Sequence, residues 1–345
     1  MNLLRRILGL AGRTGASVGD EVIIAHGDDA AVSAPPEPVV ERPSSLFAGS
    51  PAAMLATDEE DTAEIGERGR GIVATRPLPP LETVILQPGQ RICFGQLSDP
   101  GMVRGNNQDA LFSLLLSGAS SDELPDVGVF MVADGMGGHQ EGERASAITT
   151  RTVAGYVLRE VVLALLEQRL NDPERASIAE VLRAAVHEAN DAVNEQIPEG
   201  GTTATVTVIL GDLAHIAHVG DSRAYLFSEG SLEQITRDHS LVQRLIELDQ
   251  LTPEEAAEHP QRNVLYRAIG QSETLDVDAI TRRLPPRSHL LLCSDGLWNM
   301  VAEETIAEVI EKHSDPQRAC AELVQLANDR GGPDNISVIL VQMPG

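Results

Sequence analysis

Apolar and polar positions change period several times along this chain. The densest apolar run, Val129-Phe130-Met131-Val132-Ala133, stops at Asp134-Gly135-Met136-Gly137-Gly138-His139 and reads as a buried strand delivering one acid to its tip. The device returns at Leu290-Leu291-Leu292-Cys293-Ser294-Asp295-Gly296, which makes Asp295 a second strand-tip acid. A first strand is expected over 91–97, and further strands over 202–210, 215–219, 223–227, 232–235, 277–284, 289–293 and 336–341. Short turns at Gly211-Asp212 and Glu229-Gly230 leave no room for crossovers, so these strands form antiparallel hairpins. Helical periodicity predicts helices over 143–170, 177–196, 240–260, 303–312 and 316–329; Ser177 and Glu180 open the second as a capping box, and Thr252-Pro253-Glu254-Glu255 makes a helix start. Helices bracketing hairpins give an α/β (α+β) four-layer sandwich, two antiparallel β-sheets flanked by helix pairs. The strand-tip acids then meet at one edge, between the sheets.

Before residue 91 no such period is sustained. From about Ala11 to Pro88 the chain is rich in alanine, glycine, proline and acids, with Pro35-Pro36-Glu37-Pro38 and Asp58-Glu59-Glu60-Asp61. Such a segment buries too little to offset the entropy of ordering, so residues 1–88 are expected to be a disordered extension and 91–345 a catalytic domain. At the start, Leu3, Leu4, Ile7 and Leu8 form one stripe beside Arg5 and Arg6, fit either to touch a membrane or partner or to fray. Its apolar core is too brief for a signal peptide, and no uncharged stretch reaches the length of a membrane span. A cytoplasmic monomer is the expectation.

Composition narrows the chemistry. A net charge of -26 over 345 residues disfavours nucleic acid or an anionic membrane as the main partner. Lys312 is the one lysine and lies in no glycine-rich loop, which excludes a P-loop NTPase and a lysine-dependent kinase site. Cys93, Cys293 and Cys320 are odd in number and scattered, as suits a reducing compartment without a disulfide framework.

Further acids stand at comparable places. Asp221 follows Gly220, Asp334 precedes the strand 336–341, and Asp109 closes the segment that begins at Ser98-Asp99. Asp-Gly after a strand is also an ordinary turn, but repetition favours a common role. Clustered carboxylates repel unless cations neutralise them, and hard oxygen donors without cysteine or histidine at metal spacing point to Mg²⁺ or Mn²⁺.

Six motifs, in order, carry a resemblance. Ser98-Asp99-x-Gly101-x-x-Arg104-x-x-Asn107-x-Asp109, Asp134-Gly135-Met136-Gly137-Gly138, Gly201-Thr202-Thr203, Gly220-Asp221-Ser222-Arg223, Ser294-Asp295-Gly296-Leu297-Trp298 and Asp334-Asn335 resemble the 2C-type metal-dependent serine/threonine phosphatases (PPM family) in their bacterial form. The resemblance implies that Asp109, Asp134, the Gly135 carbonyl, Asp295 and Asp334 hold two Mn²⁺ or Mg²⁺ ions, that Asp221 helps hold a third, weaker one, and that Arg104 binds the substrate phosphate. It implies phosphorylated proteins, the products of bacterial serine/threonine kinases, as substrates. Two neighbouring ions can share a water, lower its pKa and aim the hydroxide at phosphorus, so no phosphoenzyme is needed. Where many of that family carry Glu, Gln108 stands here, implying a weaker water-mediated outer-shell contact. Residues 240–262 correspond to the family's flap. His139, the histidine closest to the Asp134 turn, is a candidate general acid, but a metal-bound water is the expected proton donor. His215 and His218 read as satisfying local hydrogen bonds, Arg223 as a structural ion-pair partner, Cys293 as core, and Trp298 as packing behind the Asp295 turn. A silent phosphoprotein-binding relative and a structural cation site are the competing readings, although no calcium-binding loop is present.

Overall fold

Strand alternation sorts side chains into three apolar layers. A computed structural model describes residues 91–118, 125–137, 141–169 and 175–345. The expectations for the extension 1–88 and for His139 fall outside these residues. The strands are β1 Cys93–Asp99, β2 Asp109–Leu116, β3 Val127–Met136, β4 Gly201–Thr202, β5 Ala204–Leu210, β6 Leu213–Val219, β7 Arg223–Ser228, β8 Ser231–Gln234, β9 Asp278–Arg283, β10 His289–Cys293 and β11 Ile336–Gln342. They build a five-stranded sheet ordered β1-β11-β10-β7-β8 and a six-stranded one ordered β2-β3-β5-β6-β9, with β4 paired to β3. Every pairing between them is antiparallel.

On β3, Phe130 and Val132 meet Leu290, Leu292, Ile339 and Val341 of the other sheet in the middle layer. Val129, Met131 and Ala133 point the other way, into a core shared with α1 Glu141–Val157 and α3 Ile178–Gln196. Leu291 and Cys293 of β10 likewise turn toward α7 Glu303–Lys312 and α8 Pro316–Asp329. Helix pair, sheet, sheet and helix pair are therefore the four layers expected. All three cysteines are unpaired. Among the described residues no helix is long and apolar enough to cross a membrane.

Four details differ from the sequence-based expectations. The long helix is interrupted after α1 by a π turn, Leu158–Val162, before α2 Leu163–Leu166; the widened turn keeps Val161 and Val162 buried. The helical stretch 240–260 is two short helices, α4 Leu241–Glu247 and α5 Pro253–Ala257, because Asp249 takes a left-handed φ of 54° that ends the first. Thr252 and Glu255 then start the second with a capping box. Residues 110–116, unassigned from sequence, continue from Asp109 as β2, so that acid opens a strand instead of closing a loop. Finally, β3 does not end at Asp134 but runs to Met136, because Gly135 and Met136 pair with Thr202 and Gly201 of β4.

Candidate active site

Register explains why five distant acids come together. Asp109 and Asp134 are direct partners across β2 and β3. In the other sheet, Cys293 at the end of β10 lies opposite Arg223 at the start of β7, so Asp295 and Asp221, each two residues beyond, leave the same end. Val338 of β11 pairs with Cys293 as well, which brings the preceding Asp334 there too. Asp295 occupies the first position of a one-turn helix, α6 Asp295–Trp298.

The cluster is electrostatically strained. Burial, opposed by hydrogen bonds from Ser337 and Ser294, raises the Asp109 pKa to about 6. Asp221 rises to about 7, chiefly through burial and then through the nearby Asp238 charge. Burial also drives Asp134 and Asp295 well above the ordinary carboxylate range, helped by Asp109 and Asp295 for the former and by Asp221 and Asp334 for the latter. Asp109 Oδ1 and Asp295 Oδ1 are buried without a hydrogen-bond partner. Unsatisfied, mutually repelling carboxylate oxygens are the donor set that a hard divalent cation would complete. Among the described residues, no three Asp, Glu, His or Cys side chains close around one point as a ready-made cage.

Neutral groups that sequence reasoning gave no role hold the acids in place. Thr203 is the main clamp: its hydroxyl accepts the Asp134 N–H at 2.9 Å while its own N–H donates to the Asp134 carbonyl at 2.8 Å. The Thr202 hydroxyl donates to the same carbonyl at 2.8 Å. Ser294 donates to Asp109 Oδ2 at 2.8 Å. Asn335 ties the 99–108 loop together, donating to the Pro100 and Asn106 carbonyls at 2.9 Å and accepting the Gln108 N–H at 2.8 Å. Their only sequence signal is position: each is a small polar residue inside or beside an acid-bearing motif.

Gly135 donates its N–H to the Gln108 carbonyl at 3.1 Å, and a Cβ there would lie 2.2 Å from the Gly142 carbonyl oxygen. Gly101, at φ +79°, brings the loop bearing Arg104 equally close to the Asp334 carbonyl. Arg104 is half exposed and pairs with Asp334 Oδ2 at 2.7 Å. With five donors, its guanidinium can keep that contact and still face an anion.

Residues without an expected role in the chemistry sit as anticipated. His218 is buried and neutral, its pKa lowered to about 3 by burial and then by His239; it donates to the Arg237 carbonyl at 3.0 Å, and its Nδ1 lies 2.9 Å from the Thr205 hydroxyl oxygen. His215 meets Thr281 Oγ1 at 3.1 Å. Arg223 pairs with Asp238 at 2.7 Å.

The model for protein phosphatase 2C matches residues 104–330. This chain belongs to the protein phosphatase 2C family. It is 36% identical over 256 residues to the serine/threonine protein phosphatase PstP of Mycobacterium tuberculosis, covering 72% of this chain and 45% of that relative. The chain thus spans under half the length of that relative. A serine/threonine phosphatase structure from S. agalactiae superposes with a TM-score of 0.63 at 33% identity, covering 73% of this chain and 99% of that one. The catalytic domain of PstP in complex with two manganese ions gives 0.59 at 31% identity, covering 74% and 99%.

Proposed function

We propose that residues 91–345 form a catalytic domain that hydrolyses phosphoserine and phosphothreonine in proteins with two Mn²⁺ or Mg²⁺ ions and without a phosphoenzyme. The observation that carries this reading is the pair of buried, unpartnered oxygens, Asp109 Oδ1 and Asp295 Oδ1, inside a ring of acids that raise one another's pKa. When bound, two divalent ions supply charge neutralisation and an acidified water as nucleophile. Asp109, Asp134, the Gly135 carbonyl, Asp295 and Asp334 would hold them, and Asp221 a third, weaker ion.

The chain's own groups do the rest. Arg104, the cation paired to Asp334 at the rim, binds the phosphate and orients it. Ser294 and Thr203 fix Asp109 and Asp134, so that the ligand oxygens need not reorganise. A serine or threonine alkoxide leaves poorly and needs a proton; His139 and water are the candidate donors, and the proposal takes water. The substrates are proteins phosphorylated by serine/threonine kinases, met by a cytoplasmic monomer. The manganese-bound PstP catalytic domain, similar over 74% of this chain, supports the choice of ion.

Phosphate release from a phosphothreonine peptide, with Mn²⁺ and with EDTA, tests the proposal. Turnover in Mn²⁺ that EDTA abolishes is the expected result. Peptide binding without turnover would favour the silent relative, and EDTA-resistant turnover would remove the metals from the mechanism.

A further inference from the structure

Strand register brings Asp221 and Asp295 to the same end of one sheet, but neither lies in a strand, so register alone does not set their spacing. Asp221 sits on the turn Gly220-Asp221-Ser222. One side of that turn is fixed by His239, whose N–H donates to the Gly220 carbonyl at 2.8 Å and whose Nδ1 accepts the Gly220 N–H at 3.1 Å. Thr205 fixes the other side, donating to the Ser222 carbonyl at 2.7 Å. The Asp221 carbonyl itself is gripped by the indole N–H of Trp298 at 3.1 Å.

Trp298 is the last residue of the helix that begins with Asp295. Residues three apart on a helix share a face, so one turn of α6 presents a carboxylate and an indole to the same neighbourhood. The indole is in turn locked. The Arg223 guanidinium stacks 3.7 Å from its ring centroid, and that guanidinium is forked onto Asp238 at 2.7 to 3.2 Å and bonded to the Tyr225 hydroxyl at 2.8 Å. Asp238 and Tyr225 are 4% and 0% exposed, so this chain of contacts ends on rigid core.

We infer that Trp298 is a positioning residue: through its bond to the Asp221 carbonyl it sets the spacing of Asp221 from Asp295 and with it the affinity of the third, weaker cation. The inference rests on the reading of Asp221 as ligand to that ion. Arg223, expected from sequence to be an ion-pair partner, acts here by holding the indole plane.

Trp298→Phe keeps an aromatic face for Arg223 and deletes the N–H. Calorimetric titration with Mn²⁺ should show the weak ion bound about fivefold less tightly, the factor that one hydrogen bond of typical net strength controls. The tight ions should keep their affinity, whereas a purely structural tryptophan would lower every affinity together. Arg223→Lys, which cannot stack as a plane, should weaken the same ion. Trp298 is the single tryptophan, so wild-type emission gives a second readout that needs no folded variant. It should change at the Mn²⁺ concentration that fills the weak site, and Asp221→Asn should abolish that step. Full weak-ion affinity in Trp298→Phe, or emission that follows the tight ions alone, would overturn the inference. A weak-ion step that survives Asp221→Asn would instead overturn the assignment of Asp221.

Discussion

Asp109 and Asp134 face each other across β2 and β3, a placement that like charges ordinarily oppose. Its cost becomes useful if cations occupy the gap. Asp134→Asn and Asp295→Asn should each cut turnover to below about one per cent, since even outer-shell losses around metals reach a hundredfold. In EDTA both variants should melt at or above the wild-type temperature, because each removes one repelling buried charge. Variants that keep near-wild-type turnover in Mn²⁺ would refute the ligand assignment. Asp134 and Asp295 were legible from sequence because the same device, an apolar run ending in Asp-Gly, occurs twice. Thr203, Ser294 and Asn335 were not, because a neutral side chain's partner is whichever backbone group tertiary pairing brings near.

Proton linkage offers a second check at the same scale. Asp109 at about 6 and Asp221 at about 7 hold protons in the folded, metal-free chain where the unfolded chain, near 3.8, has lost them. Their contribution to stability is therefore present below the unfolded value and is lost as pH rises through 6 and 7. Cations replace those protons. The rise in melting temperature on adding Mn²⁺ should accordingly be small at about pH 5 and larger at about pH 7.5. An equal rise at both pH values would uncouple the acids from the ions.

Among the elements, the β4–β5 break shows what periodicity conceals. Residues 202–210 read as one strand, yet Thr203 leaves the ladder to hold both backbone groups of Asp134. Thr203→Val preserves shape but strands a buried N–H, so it should destabilise the fold by about 1–3 kcal/mol and lower kcat more than it raises KM. Chemical denaturation and steady-state kinetics measure both; a variant as stable and as fast as wild type would contradict the clamp. Other elements were readable because their signals are local. The Ser177–Glu180 capping box and the helix start at Thr252-Pro253 form as the sequence indicates. The left-handed Asp249 and the π turn at Leu158–Val162 had no such mark, since each depends on which face the neighbouring layers bury.

At the scale of the molecule, two sheets contribute to one site: Asp109 and Asp134 from the six-stranded sheet, Asp221, Asp295 and Asp334 from beside the strands of the other. The four-layer order could be read from alternating strands between helical stretches, but the convergence of both sheet ends required register. If residues 91–345 are the whole catalytic domain, removing residues 1–88 should leave kcat/KM on a short phosphopeptide unchanged. A truncated chain that fails to fold or loses turnover would place part of the extension in that domain.

Anomalous diffraction at the manganese edge, from crystals of the chain grown with Mn²⁺, tests the central claim most directly. Two strong peaks bounded by Asp109, Asp134, Asp295 and Asp334 are expected. Peaks elsewhere, or none among these acids, would contradict it.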